Sequence, residues 1–146
     1  MGLDAVVYCD CYEAGRLRSD PDPAWNIYVD VTGRLESRSE DLEILTAFEG
    51  WHEHACEHEG GLLVHEYLGN EAKIVRIRGE LARDAARFPV LLTKVIYDSS
   101  HAGDRLELDD VDELARELDR AEPSFIISQL RRLIDAARLV RKPIRF

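Results

Sequence analysis

Five breaks decide what this chain can build: Asp20-Pro-Asp-Pro23, Gly60-Gly61, Pro89, Pro123 and Lys142-Pro143. Proline fixes φ and lacks an amide donor, and paired glycines end helices, so regular structure stops at each. Between the breaks the hydrophobic period changes from about two residues to about 3.6 and back. Residues 3–9 (LDAVVYC) and 27–31 (IYVDV) are β-branched and aromatic and read as strands. With the tight turn Thr32-Gly-Arg34 they predict an antiparallel amino-terminal unit. From about Ser39 to about His58, the residues Ile44, Leu45, Phe48, Trp51, His52 and Ala55 share one helical face. Residues 62–68 read as a short strand. Asn70 reads as the cap of a helix through Phe88, with Ile74, Ile77, Leu81, Ala85 and Phe88 facing inward. Residues 90–97 (VLLTKVIY), apolar on both faces, predict a central strand followed by a loop at 98–104. Asp109 or Asp110 is the expected cap of a helix carrying Val111, Leu114, Leu118 and Ala121. Ser124 is the expected cap of a last helix carrying Ile126, Ile127, Leu130, Leu133, Ile134, Ala137 and Val140. The expected fold is α+β, one domain over 1–146, with a small, mostly antiparallel or mixed sheet packed with about four helices.

At 146 residues, 45% apolar and 33% charged, the chain is long enough to bury a core without staples. No apolar run approaches the ~20 residues of a membrane span. The first residues lack the basic and apolar regions of a signal peptide, and Val6 stands where a myristoylation signal needs Ser or Thr. The expected location is therefore cytoplasmic, with the three cysteines reduced. The net charge of −10 is uneven: residues 36–66 hold nine carboxylates against one base, Arg38. Such acidity repels nucleic acid and anionic membranes and steers basic partners inward. The bases around Arg131, Arg132, Arg138, Arg141 and Lys142 lack the interleaved aromatics of a nucleic-acid platform.

The run Trp51-His-Glu-His-Ala-Cys-Glu-His-Glu59 is dense in metal-ligating side chains. On a continuous helix His52/Cys56 and His54/His58 are each neighbours, but the two pairs lie roughly 160–200° apart and cannot share one ion. Cys56 also stands where the second histidine of a His-Glu-x-x-His site would fall. His52 and Cys56 read as packed core residues, which leaves His54 and His58 as the candidate metal pair, with His65 or a distant carboxylate to join them. Cys9 and Cys11, two apart on a strand, find no second Cys-x-x-Cys and read as buried apolar thiols on one face. Glu49, Glu53 and Glu57 follow at i, i+4 and i+8, a like-charge stripe costing roughly 0.2–0.5 kcal/mol per pair. No base within the helix relieves it, so either a basic segment such as 73–87 or a basic partner must. The helix near 110–121 instead balances itself through Asp112/Arg116 and Glu117/Arg120. The loop Ser99-Ser100-His101-Ala102-Gly103-Asp104 offers His101 with Asp104 as an acid–base pair. It lacks a nucleophile elbow, and a turn with Ser99 and Asp104 bonding backbone amides is the favoured reading. Dinucleotide, Walker and zinc-ribbon signatures are absent.

The opening Met-Gly-Leu-Asp with Cys9-Asp-Cys11, Trp51…Ala55-Cys56-Glu57-His58, Leu68-Gly69-Asn70, Phe88-Pro89…Lys94-Val-Ile-Tyr97, His101-Ala-Gly-Asp104 and the terminal Lys142-Pro-Ile-Arg-Phe146 resemble a family of small bacterial proteins with no assigned activity. Its acidic members look similar to immunity proteins of polymorphic toxin systems. That resemblance implies a non-enzymatic protein, without cofactor, that neutralises a cognate basic toxin by occluding its active site. The expected contacts are Glu49, Glu53 and Glu57, with a second patch at Asp109, Asp110, Asp112 and Glu113. The alternative is a small metal-dependent or acid–base enzyme using His54 and His58 or His101.

Overall fold

A computed structural model of the chain describes residues 2–146. The strands are β1 (Gly2–Tyr8), β2 (Ile27–Val29), β3 (Leu35–Ser37), β4 (Leu62–Asn70), β5 (Arg105–Leu106) and β6 (Ile144–Arg145). The α-helices are α1 (Leu42–His54), α2 (Glu71–Leu81), α3 (Leu108–Leu118) and α4 (Phe125–Val140). The fold is α+β with antiparallel sheets, as the hydrophobic periods predict. Its residues gather into two compact units, one running to Val7 and resuming at Val64–Phe146, the other being Tyr8–Leu63. No helix among the described residues is long and apolar enough to cross a membrane.

The first unit is built on a sheet of order β4-β1-β6-β5. Leu3, Ala5 and Val7 alternate inward along β1, the period-two pattern of a half-buried strand. β6 sets Arg145 opposite Val6 on one side and opposite Arg105 on the other, a two-residue strand too short to leave a sequence pattern. α3 packs on α4. α4 buries Ile126, Ile127, Leu130, Leu133, Ile134 and Ala137, the stripe its 3.6 period selects. Ser124 caps it as expected, and Arg141 closes it in a left-handed conformation before Pro143. α3 begins two or three residues earlier than expected, after Glu107 rather than behind Asp109 or Asp110.

Asn70 caps α2, its Oδ1 accepting the Lys73 N–H at 2.9 Å. Asn70→Ala should therefore lower stability by about 1 kcal/mol, read as a shift of the urea midpoint at constant m. The helix stops at Leu81 rather than Phe88, passing into tighter turns (Ala82–Arg87) that break at Asp84.

The expected central strand at 90–97 does not form. Leu91–Val95 is a wide helical turn with Leu91, Val95 and Ile96 on its buried side, an i, i+4, i+5 spacing. Pro89 is at home at its start, where no N–H is required. The next two amides go to Glu117 of α3, whose buried carboxylate accepts from Val90 N at 2.9 Å and Leu91 N at 3.0 Å. A carboxylate placed there favours a helical start over an extended run.

In the second unit β2 and β3 form a hairpin, Ile27 opposite Ser37 and Val29 opposite Leu35. Asp30 Oδ1 ties its turn by accepting from Thr32 N and Arg34 N at 2.8 and 3.1 Å. The antiparallel pairing expected around the Thr32-Gly-Arg34 turn is thus that of β2 with β3, while β1 belongs to the four-stranded sheet. α1 starts behind Asp41, which takes the Glu43 amide at 2.8 Å. Its Phe48 is fully buried among Trp25, Trp51 and His52 at centroid distances of 6.3, 6.1 and 5.6 Å. α1 ends at His54, one turn before the expected His58, and that early end makes the site.

Candidate metal centre

Past α1 the chain turns sharply through Cys56-Glu57-His58 and then Gly60 and Gly61, both at positive φ (61° and 71°). Past β1 it turns again through Cys9-Asp10-Cys11, with Arg16 N bonded to Cys11 O at 2.8 Å. Backbone bonds Cys9 N to Gly61 O (2.8 Å) and Arg18 N to Ala55 O (2.7 Å) clamp the two turns together. Cys9 and Cys11 therefore lie in a turn, off the strand on which they were expected.

One ligand atom from each of Cys9, Cys11, Cys56 and His58 falls within 4.8 Å of every other. Cys9 Sγ is 3.8 Å from Cys56 Sγ, and His58 Nδ1 is 3.3 Å from Cys11 Sγ and 3.8 Å from Cys56 Sγ. A tetrahedral zinc ion with bonds of about 2.3 Å to sulfur and 2.0–2.1 Å to nitrogen needs S···S edges of about 3.8 Å and S···N edges of about 3.6 Å. The three short edges are within about 0.3 Å of that size. A cavity of about 20 Å³ lies against the three thiols, lined also by Tyr8, His52 and Gly61. It is large enough for one water-sized body.

Packed thiols alone would also approach to 3.8 Å, but the surroundings go further. The His58 backbone N–H donates to Cys56 Sγ at 3.4 Å, and the Cys11 backbone N–H acts on Cys9 in the same sense. Both turns thus aim an amide from position i+2 at a sulfur, which favours the thiolate. The Arg16 guanidinium hydrogen-bonds Cys11 and also pairs with Asp10. Three thiolates around a divalent ion leave one negative charge, which Arg16 offsets. His58 presents Nδ1 to the sulfurs, while its Nε2 has the Glu57 carboxylate in its neighbourhood, 3.8 Å from Oε1. Sulfur-rich, four-donor, near-tetrahedral sets select zinc among common divalent ions.

Without metal, Cys9 and Cys11 are held towards the protonated form. Burial pushes the Cys9 thiol up to about 12, with Cys56 and Cys11 adding to the rise. Burial raises Cys11 too, and its hydrogen bond with Cys56 adds to that, while Arg16 pulls the other way. A folded-state pKa above the unfolded value gives stability that is full below the unfolded pKa and is lost as pH climbs through the folded one. The metal-free protein should therefore lose stability from about pH 9 towards about pH 12. Zinc-loaded protein, with its thiols already deprotonated, should lack that loss. Melting temperature against pH for the two forms checks this.

The other candidate residues fall elsewhere. His54 is exposed on the last turn of α1 and does not meet His58. His65 pairs with Asp4 at 2.8 Å. His52 is buried and stacked on Phe48, and burial followed by the Arg34 charge holds its pKa below the usual value, as befits a packed residue. The acidic stripe is interrupted: Glu57 lies beyond the helix end, and Glu49 meets Arg34 of the hairpin at 3.3 Å. Relief of Glu49 thus comes from Arg34 within the same unit. In the second patch Asp110 pairs with Lys94 at 2.7 Å, Asp112 with Arg138 at 2.9 Å, and Glu113 with Arg116. The expected Asp112/Arg116 and Glu117/Arg120 pairs are replaced by these contacts and by the Glu117 amide bonds. Asp109 and Glu53 are exposed and make no ion pair among the described residues. His101 is buried between Tyr97 and Phe146 at centroid distances of 4.5 and 4.9 Å, its Nε2 on the Val95 carbonyl at 2.5 Å. Its Nδ1 is 3.3 Å from Asp104 Oδ2 but off line for a hydrogen bond. Asp104 instead accepts from Tyr97 OH, which raises that phenol to about 12. The expected Ser99 and Asp104 amide caps are not among these bonds.

Compared with known proteins, the chain matches no protein-family model, no curated protein and no solved structure.

Proposed function

We propose that this chain is a zinc-dependent, non-enzymatic binding protein whose 8–63 unit is folded around one ion held by Cys9, Cys11, Cys56 and His58. The observation that carries the reading is the set of three S···S and S···N separations near tetrahedral edge length, 3.8, 3.3 and 3.8 Å, drawn from two turns of like design. Four protein donors fill a tetrahedral shell and leave no open position for substrate, so the ion's role is structural. The net charge of −10, with Glu53 and Asp109 free of ion pairs among the described residues, supports a basic protein as partner. A cognate toxin occluded at its active site is the partner class the sequence resemblance implies.

Protein purified under reducing conditions should carry about one zinc ion per chain by elemental analysis and native mass spectrometry. Cobalt(II) should replace it with the visible absorption of a tetrahedral thiolate site. Retention of no metal and no cobalt spectrum would sink the zinc reading. The partner reading is tested separately, by charge reversal at Glu53 and Asp109. Unchanged capture of a basic protein encoded beside this chain, at low and moderate salt, would count against it.

A further inference from the structure

We propose that Cys9 and Cys56 form a redox-sensitive pair, and that a hydroperoxide converts them to a disulfide and ejects the metal; this rests on the zinc reading above. Three thiols ligate, yet their surroundings differ. Cys11 is 1% exposed and Cys56 5%, whereas Cys9 is only partly buried and is the one an oxidant reaches. Cys56 Sγ lies 3.8 Å from its sulfur, a gap that must close to a bond of about 2.0 Å. Cys11 Sγ lies 3.3 Å from His58 Nδ1 and is the most deeply buried of the three thiols, which makes Cys56 the favoured resolving thiol.

Metal binding makes Cys9 a thiolate, the nucleophilic form. That thiolate attacks one oxygen of the hydroperoxide, and the O–O bond breaks. The alkoxide leaving group takes a proton and departs as an alcohol, or as water when the oxidant is hydrogen peroxide. Cys9 is then a sulfenic acid. The Cys56 thiolate attacks its sulfur, the S–S bond forms, and hydroxide leaves to be protonated to water. Two electrons have passed from the two sulfurs to the peroxide. Cys11 and His58 remain, half a tetrahedral shell, and cannot hold zinc. The disulfide then fastens the same two turns that the ion had fastened, so loss of metal need not mean loss of the fold.

The test treats the zinc-loaded full chain with hydrogen peroxide, reads zinc with a colorimetric chelator, and maps disulfides by mass spectrometry. The expected result is release of the ion with a Cys9–Cys56 disulfide, Cys11 still alkylatable, and recovery of binding after thiol reduction and zinc addition. Cys9→His keeps four donors without the exposed thiol, and should slow peroxide-driven release by about tenfold or more while retaining zinc. Zinc that stays bound through peroxide treatment, or a disulfide that involves Cys11 instead, overturns the inference and leaves the zinc reading standing. A chain that takes up no zinc at all overturns both.

Discussion

On the zinc reading proposed above, Cys11→Ser will abolish tight zinc binding, and with it the order of residues 8–63. The size of the effect follows from how little else holds that unit. Its buried apolar side chains are Tyr8, Cys11, Phe48, Ala55 and Cys56, and two of those five are proposed ligands. A segment of under about 60 residues rarely draws more than 3–5 kcal/mol from a single core, whereas structural zinc in small domains supplies roughly 10–16 kcal/mol. The ion therefore outweighs the core, and removing a buried sulfur donor removes most of the stabilisation. Hydrogen-exchange mass spectrometry is the direct readout. Peptides covering α1 and the β2–β3 hairpin should lose protection in Cys11→Ser, and in wild type treated with a strong chelator, while peptides from α4 keep theirs. Cys11→His restores a fourth donor and should recover much of the protection. Equal protection of 8–63 with and without metal would show that Phe48 and its aromatic neighbours suffice.

The centre was only half legible in the sequence, for a physical reason. Periodicity describes contacts three or four residues apart, and it placed His52 and Phe48 correctly on the buried face of α1. It assumed, however, that the helix runs on to His58, and on that assumption the ligands diverge. They converge because the helix stops at His54 and a turn carries Cys56 and His58 back to a second turn far away in sequence. Cys9 meets Cys56 and Cys11 meets His58 at the same separation of 47 residues, so the two turns meet in parallel register. The available signal was the repeated spacing, Cys-x-Cys and Cys-x-His, rather than a second Cys-x-x-Cys. The acidic stripe failed as a continuous feature on the same grounds. Arg34, whose hairpin approaches Glu49 only after folding, relieves it from outside the helix. Where structure is locally determined, as in α4 with its cap at Ser124, its buried apolar stripe and its stop before Pro143, reading and structure agree. At 90–97 they part, because the residue that decides the conformation is Glu117, 27 residues from Val90.

Glu117 is for that reason where a single substitution should do most harm in the other unit. It is 3% exposed, and its two carboxylate oxygens take the Val90 and Leu91 amides. Hydrogen bonds to a charged acceptor contribute roughly 1.5–3 kcal/mol each, and amides orphaned in the interior keep their full desolvation cost. Glu117→Ala should therefore destabilise the protein by about 3–5 kcal/mol, a large part of the 5–15 kcal/mol typical of a whole domain. Glu117→Gln retains one carbonyl acceptor and turns an amide donor towards the other N–H, so a loss of about 2–3 kcal/mol is expected. Glu113→Ala, one turn earlier on α3, removes only an exposed pair with Arg116 and should cost under about 1 kcal/mol. Urea unfolding of the three variants, all zinc-loaded and compared at constant m, gives the ranking. If Glu117→Ala unfolds at the wild-type midpoint, burial of Leu91, Val95 and Ile96 holds the 91–95 turn without the carboxylate. In that case the loss of the expected strand must be traced to Pro89 and side-chain packing rather than to Glu117.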